Sequence, residues 1–416
     1  MGRDALARTA RAALPIVAIL SFAAGVGATL AAAGDTLGYD FLAYHQAAAR
    51  LLDGGPLYDM SYKETGGFGL FYYPPTFAPL LLPFGAIDSL PATWAWIAMS
   101  LAVFVVGLVA LPTSRPVRWW ILLLAGWSFP FVYAVKLGQV GPILFGLFAL
   151  GWRWLDQPLR LGITAALGAA IKMQPGLILV WALLSRRWPA VVAGAVVLVV
   201  LSVAATVLAG PSSWVDFVTL LRTVSDPITT ERNLTPGAVA FQSGLSTELA
   251  AVIQLVSTLG AGVIVIAAVR LATEEASYLV TVVASQLVSP ILWDHYAMLL
   301  LLPVAYLLSA GRWWAAVIPI VTAWPLVGVT PAFVYPVTFW VTLVAKFLVG
   351  RAARDPRQNF GERWARGRSV ATARHGSVSA SPPYRRSCTG SPIGRSMPAA
   401  AISSTWPTRS CMDGRG

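Results

Sequence analysis

Long apolar runs separated by short polar or basic stretches limit the fold of this chain more than any other feature. The first run, residues 12–33, follows three arginines, and at about 1.5 Å per helical residue it crosses a hydrocarbon layer of about 30 Å. Of the 416 residues, 57% are hydrophobic and 12% are charged, which is more apolar surface than one soluble core can bury. The sequence therefore predicts an all-α integral membrane protein.

Basic clusters alternate with polar clusters along the chain, and this alternation predicts the topology. Arginines precede the first run and recur at Arg115, Arg153, Arg186 and Arg270, which assigns these segments to the cytoplasm by the positive-inside rule. Counting from them gives about 12 transmembrane helices, with both termini cytoplasmic. Residues 76–87 form a short apolar run with two prolines, which predicts a re-entrant or interfacial helix in the first outer loop.

The composition changes after Gly350, which predicts two domains. Residues 1–350 form the polytopic membrane domain, and residues 351–416 are rich in Arg, Ser and Pro, as in a disordered cytoplasmic tail. The tail carries +9 of the net charge of +12, so the net charge does not indicate nucleic-acid binding. The alternative to a disordered tail is a basic segment that rests on anionic lipid.

Cofactor and metal sites are not predicted. The two cysteines, Cys388 and Cys411, both lie in the tail, which excludes a disulfide framework and a cysteine-based metal site in the membrane domain. The sequence contains neither a P-loop nor a GxGxxG motif, and its histidines do not recur at metal-ligand spacing.

Functional groups from distant parts of the chain are predicted to meet on the outer side of the membrane. This set comprises Asp40, Lys136, Gln139, Lys172, Gln174, Asp294 and His295. Ionisable residues near membrane depth are costly and usually face a cavity. Lys136 and Lys172 are two of only four lysines, and a cation at a cavity mouth suits a ligand that carries phosphate.

Each member of this set has a simpler interpretation. Residues 38–50, which contain Asp40 and Tyr44, also fit an interfacial helix with its polar side chains among lipid headgroups. Either lysine fits a helix end from which its side chain extends to water. His295 follows Trp293 and fits a packed interfacial position. The predicted convergence on one side of the membrane favours a functional site.

The motifs around these residues resemble glycosyltransferase family 87, the polyprenol-phosphate-mannose-dependent mannosyltransferases with a GT-C fold. The resemblance covers residues 12–350. It rests on residues 39–41 (YDF) with Tyr44, residues 54–58, and the motifs YYPP at 72–75, KLGQ at 136–139, KMQP at 172–175 and SPILWDH at 289–295. The family often has His where this chain has Tyr296 and Asn where it has Gly141.

The resemblance implies a polytopic GT-C bundle in the cell membrane with an extracytoplasmic active site. Its implied reaction transfers mannose from a polyprenyl-phosphate donor to a glycolipid or lipoglycan acceptor, with inversion and without a metal. The aspartate of the first outer loop, Asp40 here, is the implied general base, and His295 the residue near the donor phosphate. Further candidates are Lys172, Lys136, Arg222 and Arg232 for the phosphate, and Tyr44, Gln139, Gln174, Tyr73 and Asp294 for substrate.

Two alternatives remain open at the level of sequence. A transferase of arabinose or another polyprenyl-phosphate sugar has the same requirements. A lipid or solute transporter would also collect charges in a membrane cavity, although the chain shows no inverted repeat.

Overall fold

A computed structural model of the chain describes residues 3–61, 70–224, 226–323 and 330–354, and the regular structure within these ranges is helical. The predicted tail from 355 onward lies outside the described residues. The α-helices of the described part are α1 (Arg3–Ala31), α2 (Tyr39–Leu52), α3 (Ala78–Gly85), α4 (Ser89–Ala110), α5 (Arg115–Trp127), α6 (Phe129–Leu137), α7 (Gly141–Arg153), α8 (Pro158–Ile171), α9 (Leu177–Leu184), α10 (Trp188–Ala209), α11 (Ser212–Val224), α12 (Pro236–Gln242), α13 (Thr247–Leu271), α14 (Glu274–Leu287), α15 (Leu301–Ser309), α16 (Val317–Val321) and α17 (Val334–Arg354).

Five of the described helices are long and apolar enough to cross a membrane, and a sixth span is possible if the bent pair α5 and α6 counts as one. The five are α1, α4, α10, α13 and α17, and each coincides with a run predicted from the sequence. The chain is therefore a multi-pass membrane protein. Helices α7 and α8 have 13 and 14 residues, fewer than the roughly 20 residues that a span needs. The count of 12 stays a prediction.

Helix α14 is the central element of the core. Twelve of its fourteen residues are buried, including the polar side chains of Ser277, Thr281, Ser285 and Gln286. Thr273 caps its N-terminus by accepting a hydrogen bond from the Ala276 amide. The mostly apolar residues 276–293 do not form one continuous helix. Helix α14 ends at Leu287, and Pro290 follows shortly after it. The break places the start of the next short helix inside the protein.

That next element is a 3-10 helix, Asp294–Leu300, which continues into α15. Its residues from Ala297 to Leu300 are buried, as is His295 near its start. The predicted short helix at 76–87 is likewise present, as a 3-10 turn Pro75–Phe77 followed by α3. These short elements, with α2 and α6, surround the predicted site.

Candidate active site

Asp40 lies in the first turn of α2, and two glycines fix where this helix begins. Gly38 has φ 70° and Gly138 has φ 67°, a conformation that glycine adopts without the steric cost of a Cβ atom. The Gly38 amide donates a hydrogen bond of 2.8 Å to the Lys136 carbonyl at the end of α6. A Cβ atom on Gly138 would lie 2.6 Å from the Cβ of Phe41. The two helix ends are therefore held in direct contact.

A buried hydrogen-bond network holds the Asp40 carboxylate. Gln139 Nε2 donates to Asp40 Oδ2 at 2.5 Å, while Gln139 Oε1 accepts from the hydroxyls of Tyr73 at 3.1 Å and Tyr44 at 3.3 Å. The two hydroxyls are 2.5 Å apart. Because both tyrosines are buried whereas Asp40 is partly exposed, Tyr44 and Tyr73 lie behind the carboxylate. They orient Gln139, and Gln139 orients Asp40.

Lys172 follows the last residue of α8, and its side chain points into the same region. Its Nζ donates to the Tyr296 hydroxyl at 2.5 Å and lies 5.5 Å from the centre of the Tyr73 ring. Two residues further, Gln174 Nε2 donates to Ser289 Oγ at 2.8 Å. The KMQP motif is thus hydrogen bonded to Ser289 of the SPILWDH motif and to Tyr296, the residue that follows it.

His295 has one nitrogen near a carboxylate and one without a partner. Its Nδ1 lies 3.4 Å from Asp294 Oδ1, and its Nε2 is buried with no hydrogen bond among the described residues. Gln139, Lys172, Gln286, His295 and Tyr296 line a cavity of about 10 Å³, roughly the room of one water molecule. A buried polar nitrogen without a partner is costly, so this cavity fits a site that a polar ligand or a water fills.

Burial acts on the two charged groups of the site in opposite directions. Asp40 and Lys172 both lie outside the spanning helices. Burial raises the pKa of Asp40, while His295, the Gln139 hydrogen bond and Lys172 act to lower that pKa. Burial lowers the pKa of Lys172 to about 7, against the attraction of Asp40. Burial thus shifts both pKa values more than the attraction between Asp40 and Lys172 does. An anionic ligand beside Lys172 would favour its charged form.

Three of the predicted phosphate-binding cations lie outside this cluster. Lys136 lines a separate cavity, with its Nζ 5.8 Å from the centre of the Tyr133 ring. Arg222 is exposed in the last turn of α11. Arg232 is also exposed, and its charge acts on Tyr133. Lys172 is the predicted cation that the structure brings to Asp40 and His295.

Asn233, which the sequence did not single out, holds the segment that carries His295. Its side chain is buried and makes four hydrogen bonds. Nδ2 donates to the carbonyls of Pro227 at 2.6 Å and Pro290 at 3.0 Å, and Oδ1 accepts from the amides of Leu292 at 2.9 Å and Thr235 at 3.2 Å. An isolated Asn in a polar loop has no spacing signal that would have revealed this role.

We predict that Asn233→Ala destabilises the protein by about 3 kcal/mol, because four backbone groups, two of them in fully buried hydrogen bonds, lose their partners at about 1 kcal/mol each, with partial relaxation. Turnover should fall as well, because Asn233 holds Pro290 and Leu292, which lie just before His295 in the chain. Thermal unfolding in detergent and turnover at saturating substrate measure the two effects. Glu231→Ala, an exposed change two residues away, is the matched control. Equal unfolding temperatures for the two variants would contradict the prediction.

Lys172 and His295 line one cavity, and Gln139, which also lines it, holds the Asp40 carboxylate by a hydrogen bond. Such ionisable groups in a helical membrane protein are typical of membrane enzymes that act on charged lipid-linked substrates and of transporters of them. Comparison with known sequences separates these classes. The family model of "Glycosyltransferase family 87" matches residues 71–290, more than half of the chain, and the chain therefore belongs to this family. The matched range includes Tyr73, Gln139 and Lys172 but neither Asp40 nor His295.

One curated relative is the "Polyprenol-phosphate-mannose-dependent alpha-(1-2)-phosphatidylinositol mannoside mannosyltransferase" of Mycobacterium tuberculosis. It is 30% identical over 193 residues, which are 41% of this chain and 45% of the relative. The chain thus matches less than half of the length of that protein. No solved structure matches the chain.

Proposed function

We propose that this protein is a polyprenyl-phosphate-dependent mannosyltransferase that glycosylates a glycolipid. The observation that carries the proposal is the arrangement at one cavity: Gln139, Lys172 and His295 line it, and Gln139 holds the Asp40 carboxylate by a hydrogen bond. The Nε2 of His295 is buried without a hydrogen-bond partner among the described residues. The family membership and the name of the mycobacterial relative support a sugar donor of this class. In a member of this family, Asp40 would be the base, and Lys172 and His295 would form the phosphate site.

The proposed reaction is a single displacement with inversion. Asp40 accepts the proton of an acceptor hydroxyl, whose oxygen forms a bond to the anomeric carbon. The bond between that carbon and the donor phosphate oxygen breaks, and polyprenyl phosphate leaves with the electron pair. Lys172 and His295 stabilise the charge that develops on the phosphate. A carboxylate is a weak base, so much of the bond to the leaving group breaks before the new bond forms, as in other glycosyl transfers.

The assay that tests the proposal supplies purified protein in liposomes with labelled polyprenyl-phosphate mannose and a phosphatidylinositol-based glycolipid. A mannosylated product is expected. Polyprenyl-phosphate arabinose in a parallel reaction tests the closest alternative donor. Transfer from the arabinose donor alone would replace mannose in the proposal, and movement of lipid across the bilayer without a new glycosidic bond would overturn it.

The proposed architecture is a GT-C-type bundle with both termini cytoplasmic, the site on the outer face, and residues 351–416 as a passive cytoplasmic tail. We predict that Gln46→Cys and Ser243→Cys, both at exposed positions, react with an impermeant maleimide in intact cells. Asp156→Cys, exposed between α7 and α8, should react only after permeabilisation. Cys388 and Cys411 are replaced by Ser in all variants. The reverse labelling pattern would assign the site to the cytoplasm.

A further inference from the structure

A second cavity, of about 360 Å³, opens between α1 and α6. We call it the α1–α6 groove. Its walls are the small residues Ala28, Thr29 and Ala32 on α1 and the larger Phe129, Tyr133 and Lys136 on α6. The volume lies in the usual range of ligand pockets, about 300–1,000 Å³. Only 11% of the spanning part of α1 is buried, so the groove lies beside a helix whose surface is largely open to lipid.

The groove follows from the way α1 packs on the bent pair α5 and α6. Gly25 of α1 and Gly126 of α5 pack backbone to backbone, because a Cβ on Gly126 would lie 2.7 Å from the Cα of Phe22 and one on Gly25 would overlap the Gly126 carbonyl. Just beyond this contact the chain turns by 65° between α5 and α6. Helix α1 is thus in close backbone contact with α5 before the bend, and the groove lies between α1 and α6, after the bend.

Two contacts connect the groove to the active site. The Lys136 carbonyl accepts the hydrogen bond from Gly38 that fixes the start of the Asp40 helix. The Tyr133 ring stacks on Phe129, with centroids 4.9 Å apart, and lies 6.4 Å from the His295 ring. Tyr133 therefore lies between the groove and His295, and the end of the groove at Lys136 lies beside the start of the helix that carries Asp40.

The chemistry of the groove defines the ligand it would take. Its walls are apolar except for Thr29, the Tyr133 hydroxyl and one ammonium group, that of Lys136. The α1–α6 groove is thus apolar, with a single cation at the end nearest the active site. Such a groove complements a hydrocarbon chain attached to a phosphate group.

Resting on the proposed function, we infer that the α1–α6 groove holds the lipid anchor of the acceptor, a phospholipid-anchored glycan, with Lys136 contacting its phosphodiester. The donor phosphate is a leaving group and must lie at the reacting carbon, where Lys172 and His295 are. Lys136 lines a different cavity from Lys172 and His295, so we assign it to a different phosphate. The Lys136 carbonyl is hydrogen bonded to Gly38 at the start of the Asp40 helix. Lys136 therefore lies beside the residue that is proposed to deprotonate the acceptor.

Photocrosslinking tests the occupant without requiring turnover. Phosphatidylinositol and polyprenyl phosphate, each with a diazirine in its hydrocarbon chain, are applied to the Asp40→Asn protein in liposomes, and labelled peptides are mapped by mass spectrometry. The phosphatidylinositol probe should label α1 and α6, with about fivefold less labelling in Lys136→Gln. Labelling of the groove by the polyprenyl probe instead, or by neither probe, would overturn the inference.

Kinetics on the active protein gives the second test. Ala32→Trp, which fills the groove, should raise the acceptor KM about tenfold and leave the donor KM within twofold. Ala23→Trp places the same side chain on the opposite face of α1 and is the control with both KM values unchanged. An unchanged acceptor KM in Ala32→Trp would contradict the inference. If even the unaltered protein transfers no sugar, the proposed function fails, while the crosslinking result still decides what the groove binds.

Discussion

Asp40→Asn should lower kcat by about 10²–10⁴ with little change in donor affinity. Asparagine has the shape of aspartate and can keep a hydrogen bond to Gln139 after the amide of Gln139 flips, but it cannot accept the proton of the acceptor hydroxyl. The loss is confined to the chemical step because Asp40 is proposed to contact the acceptor and not the phosphate. Product formation under saturating donor and acceptor, with donor affinity measured separately, checks both parts.

Asp53→Asn is the matched control for this variant. Asp53 is the residue after the other end of the same helix, α2, and is exposed, so its activity should stay within twofold of the unaltered protein. The raised pKa of Asp40 also predicts the pH dependence of kcat/KM. The base is active only when ionised, so activity should rise with pH through a pKa above the usual value for aspartate. Turnover of Asp40→Asn close to that of Asp53→Asn would remove Asp40 from the mechanism.

The long apolar runs determined which parts of the fold could be predicted. Each of the five long helices appears where the hydropathy places it, because a membrane-spanning helix needs about 20 apolar residues in one stretch and few other structures do. The shorter runs were not decided by hydropathy. Residues 276–293 are mostly apolar, yet α14 ends at Leu287, since the break depends on a proline and on polar groups that pack against other segments.

The site was predicted as a set of residues and not as an arrangement. Asp40, Gln139, Lys172 and His295 were each identified from the sequence. In the structure Gln139, Lys172 and His295 line one cavity, and Gln139 is hydrogen bonded to Asp40. Their roles toward one another depend on contacts between segments about 100 residues apart, which sequence periodicity does not encode. The direction of Lys136 shows the same limit. It was grouped with Lys172 because both are lysines near the predicted outer side, whereas in the structure Lys136 lines a separate cavity between α1 and α6.

Tyr296 contacts a predicted site residue, Lys172, although it lies just outside the recognised motif at residues 289–295. It occupies the position after His295 where the family often has a second histidine, and its hydroxyl accepts the hydrogen bond of Lys172. A tyrosine hydroxyl is a neutral partner, and among the described residues Lys172 forms no ion pair. Under the proposed function, this leaves the cation available for a ligand phosphate.

Lys172→Ala should lower kcat/KM for the donor by about 10²–10³, the usual cost of removing one group that stabilises developing negative charge. Both donor affinity and kcat should fall, because the phosphate is present in the bound donor and gains charge as the sugar leaves. Arg160→Ala changes an exposed cation at the other end of α8 and should leave both parameters within twofold. Full activity in Lys172→Ala would exclude it from the phosphate site.

The pH profile separates a charge effect from a loss of packing. The Lys172 pKa of about 7 means that the free enzyme loses the ammonium charge as pH rises through neutrality, so kcat/KM for the donor should decline above about pH 7. Bound phosphate favours the charged form, and the decline in kcat at saturating donor should therefore lie at higher pH. Lys172→Arg stays charged throughout this range and should abolish the alkaline decline even if its activity at pH 6 is reduced. An alkaline decline at the same pH in Lys172→Arg would show that another group titrates there, and Lys172 would then contribute shape and not charge to the donor site.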